Sequence, residues 1–99
     1  MTPFQSQCYE ALKKIPSGYV ISYGGLAKMI GRPKAQRAVG SAMNKNPFAP
    51  RVPCHRVVKS NGDLGGFADD INLKKKRLQE EGVEVLNNKI VNFQSILFK

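Results

Sequence analysis

The 99 residues, 41% of them hydrophobic, make one small domain with a modest core, and they exclude a membrane span because no apolar run is long enough. With no signal-peptide pattern at the N-terminus, a cytoplasmic location is expected, or a nuclear one in a eukaryote. The formal charge is +9, with two cysteines and one histidine: too few ligands for a structural zinc site, so Cys8 and Cys54 read as free thiols and no metal or other cofactor is expected.

The first predicted element starts at Thr2-Pro3-Phe4-Gln5. Thr2 can cap a helix, Pro3 fits its first position, and Gln5 completes a capping box. Phe4, Cys8, Ala11, Leu12 and Ile15 keep helical spacing, and Pro16-Ser17-Gly18 ends the run. Cys8 on that apolar face reads as a packed thiol. Tyr19-Val20-Ile21 suggests a short strand. Ser22 then caps a short helix from Tyr23 to Ile30 with Leu26, Ala27 and Ile30 inward, stopped by Gly31. A second helix is expected from about Pro33 to Asn44. Ala35, Ala38, Val39, Ala42 and Met43 form its inner stripe, and Lys34, Gln36, Arg37 and Ser41 its outer side. Two short helices across a tight turn read as a helix-turn-helix. Gly40 costs helix stability, which argues for close approach to a groove or to another helix.

Lys45 to Pro53 is a proline-punctuated loop. It leads into Pro53-Cys54-His55-Arg56-Val57-Val58. Cys54 and His55 could not share a face of a strand, and Pro53 restricts the backbone, so a kinked turn is expected. Behind it, Val57-Val58 opens a short buried strand. A thiolate is the reactive form of cysteine and a neighbouring imidazole favours it. Cys54 is thus a candidate nucleophile and His55 its base. Ser60-Asn61-Gly62-Asp63 carries a hairpin-turn signature. Gly65 to Ala68 reads as a flexible loop. Asp70 can cap a helix from Ile71 to Glu81, ended by Gly82, with Ile71 and Leu78 inward and Glu81 near the edge of that face. Val83 to Leu86 and Lys89 to Phe93, joined by Asn87-Asn88, suggest a terminal hairpin.

The charge is one-sided. No Asp or Glu lies between Glu10 and Asp63, while that interval holds ten Lys and Arg residues from Lys13 to Lys59. A basic folded surface of this kind suits a polyanion, and nucleic acid is favoured over a membrane surface.

Five stretches together resemble the O6-alkylguanine-DNA alkyltransferases, in their DNA-binding, active-site domain. They are Ile21-Ser22-Tyr23, Pro33 to Gly40, Asn46-Pro47, Pro53 to Val58, and Glu81-Gly82. The resemblance implies a mostly α fold with small β elements, like a winged helix-turn-helix. Residues 1–99 would form this one domain, without the family's separate N-terminal domain. It implies direct damage reversal: a single-turnover transfer of an alkyl group, methyl above all, from O6 of guanine in double-stranded DNA to Cys54. His55 would deprotonate Cys54 through a water, Glu81 would orient His55, and Asn46 would hold the active-site turn. Tyr23 would crowd the target phosphate and donate to the base. Arg37 would fill the space of the flipped nucleotide, on a helix lying in the minor groove, with Lys34, Ala35, Gln36, Gly40 and Ser41 also at the DNA. Tyr23, Val52, Pro53, Phe67, Ala68 and Asp69 would line the substrate pocket. Asp69 and Asp70 depart from the family's usual Gly-Gly there. A monomer is expected. The alternative is a non-catalytic, alkyltransferase-like recognition protein. Those typically carry Trp at the acceptor position, so Cys54 favours transfer.

Overall fold

A computed structural model of the chain describes residues 2–49, 51–65 and 71–98. Helix α1 (Pro3–Leu12) has the expected capping box: the Thr2 hydroxyl accepts from the Gln5 amide, and the Gln5 side chain accepts from the Thr2 amide. The helix stops earlier than its apolar spacing suggests. The amides of Lys14 and Ile15 bond back to Ala11 and Leu12, tightening the chain into a turn that still buries Ile15. A two-residue strand β1 (Ile21–Ser22) follows, and Ser22 caps α2 (Tyr23–Met29) by accepting from the Gly25 amide.

Helix α3 (Gln36–Asn44) begins three residues after Pro33, because the Ala35 amide is engaged in a turn with the Arg32 carbonyl. Two positions differ from the expected stripe. Ala38 is exposed and Gly40 is buried beside Val39, Ala42 and Met43. Gly40 therefore serves packing rather than a groove contact. α2 and α3, joined through Gly31 at φ +77°, are the helix-turn-helix-like pair of a mostly α fold.

Cys54–Arg56 form a single 3-10 turn, and β2 (Val57–Val58) follows it. The turn at residues 60–63 is present, but no local hairpin grows from it. β2 pairs in parallel with β1, Ile21 opposite Val57. The chain after the turn pairs instead with the C-terminal segment: the Leu64 amide donates to Asn88 and the Ile90 amide to Gly62. Helix α4 (Ile71–Glu80) leaves Glu81 in the turn beyond it, ahead of Gly82 at φ +87°. β3 (Val85–Leu86) and β4 (Lys89–Ile90) form the expected terminal hairpin through Asn87 and Asn88, both at positive φ. Phe93 does not extend it. It opens a short helix α5 (Phe93–Ile96), which returns the chain to β1, where the Phe98 amide donates to the Val20 carbonyl.

Among the described residues the buried apolar side chains gather in two clusters. One joins α1, α2 and α3 around Leu12, Leu26 and Val39 and reaches Val52 and Val57. The other joins Val20, Val58, Leu64, Leu78, Ile90 and Phe93. The parallel pair β1–β2 lies between them, contributing Ile21 and Val57 to the first and Val58 to the second. No described helix is long and apolar enough to cross a membrane.

Candidate active site

The 3-10 turn separates Cys54 from His55. Pro53 at φ −83° enters it, the Cys54 amide donates to the Val52 carbonyl, and the Arg56 amide to the Pro53 carbonyl. Cys54 is left half-buried against the first cluster, while His55 points inward and is only 4% exposed. The imidazole Nε2 lies 2.8 Å from Glu81 Oε2. Arg56 clamps the same carboxylate, with Nη2 at 2.6 Å from Oε2 and Nε at 3.0 Å from Oε1, and its Nη1 donates to the Ile15 carbonyl at 2.7 Å. So a cation fixes the carboxylate, and the carboxylate fixes the imidazole.

Burial alone would raise the Glu81 pKa, but hydrogen bonds from Arg56 and His55 outweigh it and hold the carboxyl below its usual range. Glu81 is then an acceptor only, so Nε2 carries the shared proton. Burial pushes the His55 pKa down, against the pull of Glu81. The imidazole is therefore neutral at neutral pH, with Nδ1 bearing a lone pair. Nδ1 is buried and meets no hydrogen-bond partner among the described residues. A neutral, oriented imidazole with one free basic nitrogen beside a thiol is the arrangement needed to make a thiolate.

Asn46 braces the approach to this turn. Its Nδ2 donates to the Val52 carbonyl at 2.8 Å, and its Oδ1 accepts from the Phe48 amide at 2.9 Å. Val52 and Pro53 are buried. The Val52 side chain packs into the first cluster, and its carbonyl supports the loop. Tyr23, at the first position of α2, is half-buried. Burial, and then charge on Cys54, raise its phenol pKa, which places the two groups in each other's field. The turn ending at Gly65 stands beside it: a Cβ on Gly65 would lie 3.5 Å from Tyr23 Oη. Phe67, Ala68, Asp69 and the proposed cap Asp70 lie outside the described residues.

Sequence reasoning missed Lys74. It is 8% exposed, and its ammonium donates to the Val57 carbonyl at 2.6 Å and sits 5.8 Å from the centre of the Tyr23 ring. Burial lowers its pKa to about 8, against an upward pull from Cys54. The signal was available: Ile71, Lys74 and Leu78 share one helical face, which puts a lysine in an apolar stripe. Cys8, by contrast, is fully buried, and burial raises its thiol pKa. It is the inert cysteine of the two.

The outer side of α3 presents Gln36, Arg37 and Ser41 to solvent, with Lys34 exposed just before it and Ala35 half-buried at its start. No group of three His, Cys, Asp or Glu side chains comes together among the described residues.

The family model for the DNA-binding domain of 6-O-methylguanine DNA methyltransferase matches residues 3–83. A methylated-DNA–protein-cysteine methyltransferase of Methanosarcina acetivorans is 52% identical over 81 residues, covering 82% of this chain and 52% of the relative. Its counterpart in Salmonella typhimurium is 48% identical over 85 residues, covering 86% and 50%. The chain thus spans about half the length of the curated relatives it matches. The crystal structure of Mycobacterium tuberculosis OGT in complex with DNA superposes with a TM-score of 0.78 at 47% identity, over 82% of this chain and 50% of that one. That of S. pombe Atl1, in complex with damaged DNA containing O6-carboxymethylguanine, superposes with a TM-score of 0.84 at 34% identity, over 100% and 97%.

Proposed function

The chain belongs to the 6-O-methylguanine DNA methyltransferase family, and on that premise we propose that it repairs alkylated DNA by taking the alkyl group onto Cys54. The observation that carries this reading is the Arg56–Glu81–His55 relay behind a half-exposed cysteine. His55 Nδ1 takes the thiol proton through a water, and the imidazolium is stabilised by Glu81. The Sγ thiolate attacks the alkyl carbon, an S–C bond forms, the C–O6 bond breaks, and its electron pair goes to the guanine. Tyr23 donates the proton that neutralises the leaving purine, and Lys74 favours negative charge at Cys54. A thioether does not return to thiol, so each protein acts once.

The substrate is double-stranded DNA, bound by a monomer. A base inside the stack cannot reach Cys54, so the nucleotide is flipped out. Arg37, exposed on the outer side of α3 beside the small residues Ala38 and Ser41, fills the space left in the minor groove. Lys34 and Gln36 contact the same duplex, and Asn46 keeps the turn in place. Repair occurs where the DNA is, in the cytoplasm of a bacterium or archaeon or in a nucleus.

The test is mass spectrometry after mixing with duplex DNA that contains O6-methylguanine. One methyl group should appear on the peptide holding Cys54, stopping at one equivalent. Continued turnover with excess substrate, or repair that leaves Cys54 unmodified, refutes the mechanism. A second reading, recognition without repair, is favoured by the near-complete coverage of Atl1 in both directions. Tight binding to the lesion with no mass gain is its outcome.

A further inference from the structure

We infer that Lys45 and Arg51 form a second anchor for DNA, gripping backbone phosphates several base pairs from the lesion, beyond the contacts of Arg37. The inference rests on the DNA-repair reading above and extends its footprint. Arg37, Ser41 and Lys45 stand four residues apart, on one side of α3 and its C-cap, and all three are exposed. Their line ends at a shallow depression of about 310 Å³ lined by Gln5, Tyr9, Lys45, Pro47 and Phe48. A second depression adjoins it through Tyr9 and Phe48 and is bordered by Arg51, Lys13 and Glu10. Phe48 is the shared wall. Its ring is 43% exposed and meets Tyr9 edge-on at 6.1 Å. Tyr9 in turn donates to the Ala42 carbonyl of α3 at 2.8 Å. The aromatic pair thus fixes the loop that carries Arg51 to the helix that carries Lys45.

Charge decides what such a surface takes. Lys13 is already paired with Glu10 at 3.2 Å. Among the described residues neither Lys45 nor Arg51 has an ion-pair partner, and the sequence offers no carboxylate between Glu10 and Asp63 to supply one. Two uncompensated cations on a surface continuous with the Arg37 face suit an anion that also runs past Arg37. A DNA backbone is such an anion. A second copy of this +9 chain is disfavoured by repulsion.

Length agrees. Eight residues of helix advance about 12 Å, and the duplex advances about 3.4 Å per base pair, so Lys45 reaches phosphates roughly three to four pairs from Arg37.

The experiment compares wild type with the double variant Lys45→Gln/Arg51→Gln on two lesion duplexes. One has flanks of about two base pairs and the other of about ten, and affinity is measured against salt concentration. Both residues are exposed, so the variant should melt like wild type. On the long duplex the magnitude of the slope of log K against log salt should fall by about 1.8, the effect of two phosphate contacts. On the short duplex the two proteins should bind alike. Transfer from free O6-benzylguanine should be unchanged. An unchanged salt slope on the long duplex overturns the second anchor. Arg37→Ala, tested on the same duplexes, keeps the underlying reading separate. If wild type binds and repairs while only the double variant's slope is unchanged, the anchor fails and the repair function stands. If wild type neither binds nor repairs, both fall.

Discussion

Replacing Lys74 by Met should change how stability depends on pH more than any other single substitution on α4. The folded pKa of Lys74 is about 8, against 10.5 for an unperturbed lysine, chiefly because the ammonium is buried. Above that value the folded protein has shed a proton that the unfolded chain still holds, so stability rises with pH until the unfolded lysine also titrates. Integrating the two titrations between about pH 7 and about pH 9.5 gives a gain of roughly 2 kcal/mol. Met keeps the length of the side chain and removes the charge, so the variant should lack this gain. At neutral pH the variant also loses the bond to the Val57 carbonyl, a cost of about 1–3 kcal/mol that does not vary with pH. The assay is urea unfolding of both proteins across that range, plotted as the difference. Cys8, Tyr9 and Tyr23 have raised pKa values and pull stability down at alkaline pH in both proteins. They largely cancel in the difference. Parallel curves for wild type and variant would refute the assignment of Lys74 as a buried, strained cation.

Four further outcomes are expected. Cys54→Ala should abolish transfer while lesion binding persists, checked by mass spectrometry and by titration with labelled duplex. Glu81→Gln should slow transfer by about two orders of magnitude, because the amide can still accept from Nε2 but lacks the charge that stabilises the imidazolium, and single-turnover kinetics reads this directly. The rate of transfer should fall in acid with a midpoint below 6.5, since burial lowers the His55 pKa and a protonated ring cannot accept the thiol proton; a midpoint above neutrality contradicts the relay. Arg37→Ala should slow transfer from duplex DNA more than from free O6-benzylguanine, which needs no flipping, and equal slowing of both would remove Arg37 from that role.

The legible parts of the chain were those set by local chemistry. Thr2 and Gln5 announce a capping box, Ser22 a cap, and Asn87-Asn88 a two-residue turn, and each is found in place. Cys54 and His55 could be singled out as neighbours, and the family resemblance put Glu81 on His55, but nothing gave Arg56 a role at the site. That Arg56 clamps Glu81 depends on the end of α4 returning to the 3-10 turn, and no local pattern encodes that return. The parallel pairing of β1 with β2 was hidden for the same reason: two-residue strands carry no periodicity, and their partners are remote in sequence. Lys74 was lost in the run Lys74-Lys75-Lys76-Arg77, where composition suggests a solvated face although helical spacing marks one member as inward. Gly40 was misplaced because a residue without a side chain gives no polarity signal about which way it faces. Residues 93–96 are too few to show helical spacing, so α5 was not foreseen and its first residue, Phe93, was counted in the hairpin.

Cys54 packs on the cluster built by α1 to α3, and Glu81 follows directly on α4, whose Leu78 lies in the other cluster. The nucleophile and the group that aims its base are thus mounted on opposite sides of a seam, which near the site is stitched by the β1–β2 ladder, the Arg56 bridge, the His55–Glu81 bond and the contacts of Lys74 with Val57 and Tyr23. Proteins open in cooperative pieces well below their global unfolding free energy. Here an opening along the seam would leave the helices folded and still part Glu81 from His55. Activity should therefore report the docking of the two halves rather than the integrity of either. On gentle heating, repair should fade while helical circular dichroism is still intact, and amide exchange at Val57 and Val58 should rise in step with that loss.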